Sequence, residues 1–145
     1  MNRILLYLLM AFCLIGAVLS AFSLRAHYST STTEYCALDE TFNCDYVNRS
    51  SYSKLLGVPV ALIGLLGYLL LFGISFRRDR LFATFRFAAS IVGLGFALYL
   101  TYIEAYVLLT WCLLCIGSLI AIATITILSG VGWFQLQSAG RQANS

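Results

Sequence analysis

Four long stretches without a charged residue constrain this chain more than any other feature of its sequence. They cover residues 4–24, 55–76, 87–103 and 105–140. About 20 apolar residues in a helix cross the roughly 30 Å of bilayer hydrocarbon, and the third stretch reaches that length if Arg86 extends its guanidinium to the interface. Charged residues make up only 10% of the chain, too few for a water-soluble or largely disordered protein. The pattern predicts an all-α membrane protein, a bundle of four transmembrane helices.

We expect one membrane domain over residues 1–145. Its predicted spans are about 4–24, 57–76, 82–104 and 109–131, with an extracytoplasmic loop at 25–54 and a cytoplasmic link at 77–81. Basic residues in short connections stay in the cytoplasm. The link is rich in arginine and both chain ends carry one, whereas the loop has three basic residues against four acidic ones. Both termini are therefore expected in the cytoplasm. The scattered bases form no stripe for nucleic acid.

The first stretch also resembles a secretory signal, with Arg3 before an apolar run and small residues at 20–21. At 21 residues the run is long for such a signal, so we expect it to remain as a span. Cys13 lies inside this run and is expected to behave as a small buried hydrophobe.

The other four cysteines all fall on the predicted extracytoplasmic side, where disulfides persist. Cys36 and Cys44 lie in the polar loop, and Cys112 and Cys115 lie where the fourth span begins. Cysteines three positions apart at a helix start share a face and have activated thiols, which is typical of redox motifs. Two inert core cysteines, or a four-cysteine zinc site, are the alternatives. The spacing of Cys36 and Cys44 is poor for zinc, and the compartment favours disulfides.

The two pairs suggest an electron relay. The loop pair can exchange with thiols in the aqueous space, and the inner pair, at membrane level, can exchange electrons with a lipid-soluble carrier. Thiol–disulfide exchange moves two electrons, and a quinone is the common two-electron carrier of the lipid phase. The sequence has no obvious site for haem, flavin or metal. The competing interpretation is a non-catalytic membrane protein whose cysteines form structural disulfides or a metal site.

Several motifs occur in an order that resembles the vitamin K epoxide reductase family. They are Cys36-x7-Cys44, Ser50 six positions later, Leu56-Gly57-Val58-Pro59, Gly64-Leu65-Leu66-Gly67-Tyr68, Tyr99-Leu100-x-Tyr102-x-Glu104, and Cys112-Leu-Leu-Cys115. The resemblance extends over roughly residues 5–128. A shared order of several motifs is far more specific than an isolated Cys-x-x-Cys.

The resemblance implies a four-helix bundle around a quinone, ubiquinone or menaquinone. It implies that Cys115 faces the quinone, that Cys112 exchanges with Cys44, and that Cys36 is the outermost thiol. Ser50 would donate a hydrogen bond to a quinone carbonyl. Animal members carry a tyrosine where this chain has Leu119. This difference favours the bacterial type, a quinone-dependent oxidase that supports disulfide bond formation in the inner membrane.

Bacterial members of the family take electrons from a thioredoxin-like protein, which in many of them is fused to the membrane domain. We expect no such domain here, so the resemblance implies a separate thioredoxin-like partner on the extracytoplasmic side.

Other residues have two interpretations each. Glu104 is expected to be a solvated carboxylate at a helix end, with proton transfer near Cys112 as the alternative. Tyr68, Tyr99 and Tyr102 fit a quinone pocket or ordinary core and interface positions. Gly64 and Gly67 fit close helix packing or space for a ligand. His27 is expected to be a polar loop residue.

Overall fold

A computed structural model describes residues 1–28 and 41–145 of the chain. Cys36 lies outside the described residues. The elements, in chain order, are α1 (Arg3–Tyr28), α2 (Cys44–Arg49), a 3-10 turn (Ser51–Ser53), β1 (Lys54–Leu55), β2 (Val58–Pro59), α3 (Val60–Ser75), α4 (Arg80–Ile103), a π-helical turn (Glu104–Leu108) and α5 (Leu113–Ala143). The described part of the chain is therefore almost entirely helical, as predicted.

Helix length and composition make this an integral membrane protein. In the described ranges, α1, the stretch from α4 through the π-helical turn, and α5 are each long and apolar enough to cross a bilayer. Helix α3 is equally apolar but has 16 residues, which is about 24 Å at ~1.5 Å per residue. The architecture is compatible with a four-helix membrane bundle.

The four long helices pack around one apolar core. Helix α1 packs against α3 and α5, and α4 packs closely against α5 but less extensively against α3. The core comprises Leu9, Cys13, Ala17, Tyr68, Leu71, Ala121, Ile122 and Ile125. Cys13 is fully buried there with a free thiol, which confirms the expectation for this residue. The looser α3–α4 pair leaves space between these two helices.

Glycines permit close approach at particular places. A Cβ atom on Gly64 would lie 3.1 Å from the Ser20 hydroxyl, and one on Gly93 would lie 3.2 Å from Ile122. Gly64 thus brings α3 close to α1, and Gly93 brings α4 close to α5. In contrast, a Cβ on Gly67 would meet no atom within 4 Å, because Gly67 faces open space.

One end of the bundle contains the chain's N-terminus and the start of α4. Trp133 of α5 donates to the Thr84 hydroxyl at 3.1 Å, and a guanidinium nitrogen of Arg86 lies 3.5 Å from the Met1 sulfur. Arg86 is only 1% exposed, so its side chain turns into the bundle. Its guanidinium lies beside Met1 at the chain end and close to Gly132 of α5.

The opposite end contains α2, a β-hairpin and the start of α5. In the hairpin, Leu55 pairs with Val58, and the two residues between them, Leu56 and Gly57, have φ angles of 53° and 84°. Two left-handed residues in a two-residue turn match the right-handed twist of a hairpin. The hairpin carries the chain from α2 into α3.

Candidate functional site

A short backbone pairing holds the loop against the chain just before α5. The Trp111 N–H donates to the Thr41 carbonyl at 2.7 Å, and the Asn43 N–H donates to the Trp111 carbonyl at 3.1 Å. Asn43 then caps α2 by accepting the Tyr46 N–H at 3.1 Å. This pairing brings the first residue of α2, Cys44, next to Cys112.

Cys44 and Cys112 share a small apolar cluster with Val47, and both cysteines are fully buried. Cys44 is disulfide-bonded, whereas Cys112 and Cys115 are free thiols. The partner assigned to Cys44 from the sequence, Cys36, lies outside the described residues. The tertiary structure thus places a loop cysteine and an inner cysteine, 68 positions apart in sequence, in direct packing.

Cys112 is the residue that caps the N-terminus of α5. Its sulfur accepts the Cys115 N–H at 3.4 Å, and the Asn48 side-chain amide donates to the same sulfur at 3.8 Å. These two donors hold the Cys112 sulfur between α2 and the first turn of α5.

Glu104 lies beside the two inner cysteines. It is 3% exposed, its carboxylate accepts the Cys112 N–H at 3.2 Å, and the Cys115 thiol lies close enough to interact with the carboxyl group. The expectation of a solvated helix-end carboxylate was therefore wrong. The π-helical turn that begins at Glu104 ends at Leu109, whose φ of 52° reverses the chain and folds Cys112 back over the carboxylate.

An apolar cavity of about 520 Å³ lies next to these groups. This volume is in the range of small-molecule sites, and a mostly apolar wall with a few polar groups is typical of them. The wall comes from all four long helices together with Asn48 of α2 and Leu55 of β1. Cys115 lines this cavity, whereas Cys112 is absent from its wall. The two inner cysteines therefore face different neighbours, the cavity for Cys115 and the loop for Cys112.

The polar groups on the cavity wall are few. They belong to Ser20, Ser23, Asn48, Tyr68, Thr101 and Ser118. The Tyr68 hydroxyl is already engaged, because it donates to the Ser118 carbonyl at 2.7 Å. Tyr99 and Tyr102 are outside the wall and more than half exposed, at 56% and 58%. Of the three tyrosines suggested by the sequence, only Tyr68 contributes to the cavity.

The two glycines singled out in the sequence, Gly64 and Gly67 of α3, do line the cavity. Three further small residues, Ala89, Gly93 and Ala97 of α4, line it as well. Because these residues carry little or no side chain, they leave the space between α3 and α4 that a larger residue would fill. Leu119, the position of the animal tyrosine, is not part of the wall.

Ser50 lies at the end of α2, and its hydroxyl donates to the Val47 carbonyl at 2.8 Å. Ser50 is not part of the cavity wall, which at this point is formed by Asn48. Sequence reasoning missed Asn48. It lies four positions after Cys44, so a helix starting at Cys44 would have placed both on the same face.

His27 also differs from its expected role. It belongs to the last turn of α1, not to the loop, and a ring nitrogen hydrogen-bonds with the Asn48 carbonyl. The same nitrogen lies 3.4 Å from the Ser53 hydroxyl. His27 thus ties the end of α1 to the segment that carries Asn48.

Within residues 1–28 and 41–145, no group of three or more His, Cys, Asp or Glu side chains could hold a metal ion. The chemistry available at the site is that of two thiols, a buried carboxyl and an apolar cavity. Such a site defines a membrane thiol oxidoreductase.

Comparison with known families agrees. The model of the vitamin K epoxide reductase family matches residues 7–130, most of the chain. The protein therefore belongs to the vitamin K epoxide reductase family. Membership implies membrane thiol:quinone oxidoreductase activity in general, and enzymes of this family use quinones.

Proposed function

We propose that this protein is a quinone-dependent thiol-disulfide oxidoreductase that supports disulfide bond formation outside the cytoplasm. Electrons would enter from a thioredoxin-like partner at Cys36 and Cys44, pass to Cys112 and Cys115, and leave to a quinone. The observation that supports this order best is the division of the inner pair. Cys112 packs against Cys44, and Cys115 lines the apolar cavity.

The thiol chemistry follows from this arrangement. The partner dithiol reduces the loop disulfide and becomes a disulfide itself. A loop thiolate at Cys44 then attacks the disulfide of the inner pair at Cys112, and the Cys115 thiolate that is released takes up one of the two protons lost by the partner dithiol, the other going to Cys112. Cys36 attacks Cys44, restores the loop disulfide and leaves Cys112 reduced. Each exchange moves two electrons through a mixed disulfide.

The cavity suits a quinone head group in volume and in polarity. A bound quinone would accept two electrons and two protons. Cys115 would face it, and the apolar wall would exclude water. Ser50 remains a predicted donor to a quinone carbonyl, but its single proton is given to Val47, so it would have to break that bond. The Asn48 amide, on the cavity wall, is a second candidate donor.

The proposed location is the bacterial inner membrane, with both termini in the cytoplasm and the cysteine pairs outside. The arginines at 77, 78 and 80 support this orientation. In intact reduced cells, a membrane-impermeant thiol reagent should label at least one of the four cysteines on the proposed extracytoplasmic side. Labelling of both pairs only after the cytoplasm is opened would reverse the proposed orientation.

The activity itself is tested with purified protein in detergent. Reduced thioredoxin-like protein and a soluble ubiquinone or menaquinone analogue are supplied, and formation of protein disulfide and hydroquinone is measured. We expect both to appear in equal amounts. Cys112→Ala or Cys115→Ala should abolish hydroquinone formation, while Cys13→Ala, which removes a core thiol that is not part of the cavity wall, should leave it nearly unchanged.

Failure of the parent protein to couple the two products would refute the proposed function. Cysteines with a purely structural role would not alternate between thiol and disulfide. If both pairs keep one redox state through repeated additions of partner and quinone, the proposed function is likewise refuted.

A further inference from the structure

Glu104 lies at the site, but the relay gives it no role. Its buried carboxyl group accepts the Cys112 N–H at 3.2 Å, and the Cys115 thiol lies near it. The backbone around it is fixed as well, because the Glu104 carbonyl accepts the Thr110 N–H at 3.2 Å. Any uncharged acceptor of similar size could satisfy the Cys112 N–H.

A buried carboxylate is costly, so its presence calls for a function that an amide lacks. A carboxylate can take up a proton, and oxidation of a thiol to a disulfide releases one. Cys115 lies on an apolar cavity wall, which offers little water to accept its proton. The titratable groups that face Glu104 are the thiols of Cys112 and Cys115 on α5. From α2, the cluster contributes Cys44, which is disulfide-bonded and does not titrate.

We propose that Glu104 is the proton acceptor for the Cys115 thiol. This inference rests on the proposed function and extends it. In the step, the S–H bond of Cys115 breaks and its proton moves to the Glu104 carboxylate. The sulfurs of Cys112 and Cys115 become bonded and two electrons pass to the quinone. The proton on Glu104 and the proton of the Cys112 thiol complete the hydroquinone, and Glu104 returns to its ionised form.

The first test needs neither quinone nor partner. In a Cys112→Ala background, which cannot form the inner disulfide, reduced protein is treated with iodoacetamide at pH 6.5 to 9, and Cys115 alkylation is followed by mass spectrometry. We expect Glu104→Gln to slow alkylation at pH 6.5 by at least ~10-fold, a cautious bound because a general base typically contributes ~100-fold or more. The difference should shrink as the pH rises, because hydroxide replaces the missing base.

Asp79→Asn is the matched control, since it also removes one carboxylate but from the exposed start of α4. It should alkylate like the parent. Equal or faster alkylation in Glu104→Gln would overturn the proposal, because the carboxylate would then act only through its negative charge. A slower rate with the same ratio at every pH would overturn it too, since that pattern indicates reduced access to the thiol.

Should Glu104→Gln not fold, Glu104→Asp provides the test. It keeps a carboxyl group, so it should retain reactivity at low pH, and a rate that rises tenfold per pH unit would contradict the proposal. The role of Glu104 and the quinone-dependent activity can fail separately. A protein that shows the Glu104 effect on alkylation but fails to couple thiols to quinone would refute the proposed function alone.

Discussion

Gly16 of α1 lies against the ring of Tyr68 on α3, and the effect of adding one methyl group there can be worked out from the structure. A Cβ atom at Gly16 would overlap three atoms of the ring. Carbon atoms pack best about 3.5–4.0 Å apart, so the ring would have to move by more than ~1 Å. Its hydroxyl is held by the Ser118 carbonyl at 2.7 Å, so the displacement would strain or break that hydrogen bond.

Overpacking of this kind costs about 1–3 kcal/mol, and a lost hydrogen bond costs about 0.5–1.5 kcal/mol. The better helix propensity of alanine offsets about 1 kcal/mol. We therefore expect Gly16→Ala to lower the free energy of unfolding by about 2 kcal/mol. It should also raise the KM for quinone, because Tyr68 forms part of the cavity wall.

The assay is denaturant or thermal unfolding in detergent micelles, with Gly67→Ala as the matched control. Gly67 also lines the cavity, but its Cβ would meet nothing within 4 Å, so that variant should be as stable as the parent or slightly more stable. In a Tyr68→Ala background the cost of Gly16→Ala should disappear. Equal stability of Gly16→Ala and Gly67→Ala would refute the reasoning.

Two further predictions concern the relay and the quinone. In Cys115→Ala the Cys112 thiol can still attack the loop disulfide at Cys44, but the Cys115 thiol that would attack Cys112 and reverse the mixed disulfide on that side is missing, so a Cys44–Cys112 bond should accumulate. Protein cleaved between the two cysteines should stay joined on a gel without reductant, and adding Cys44→Ala should release the fragments, whereas a link that survives this change would contradict the proposed order. Ser50→Ala should raise the KM for quinone several-fold, since a hydrogen bond to the carbonyl is worth ~1 kcal/mol. An unchanged KM would leave Ser50 with only its role in the turn. Asn48→Ala should slow exchange between Cys44 and Cys112 about fivefold, because one donor to the Cys112 sulfur is lost. The rate is measured by stopped flow with a reduced partner, and an unaltered rate would contradict a role for that amide.

Much of this protein followed from its sequence alone. Runs of apolar residues specify membrane helices, because a bilayer satisfies no backbone hydrogen bonds and therefore admits few structures. The order of the motifs from Cys36 to Cys115 was enough to indicate the family, and the family model confirmed it. The burial of Cys13 also followed, since a small thiol inside an apolar run has no polar partner to seek.

Only the tertiary structure showed which side chains point into the bundle and which point outward. In a soluble helix the polar face marks the outside, but these helices are apolar on nearly every side, and lipid is as apolar as the bundle interior. Hydropathy therefore could not predict that the Arg86 side chain is buried, or that Tyr99 and Tyr102 are exposed. The same ambiguity concealed the pocket between α3 and α4.

The site itself depends on contacts between residues far apart in sequence. Glu104 resembled a solvated helix end, because its burial results from a π-helical turn and the left-handed Leu109, features that no hydropathy pattern specifies. The Cys-x-x-Cys spacing showed that two thiols share a helix start. It could not show that Cys112 faces the loop and Cys115 the cavity, because that division comes from the packing of α2, α3 and α4 around the first turn of α5.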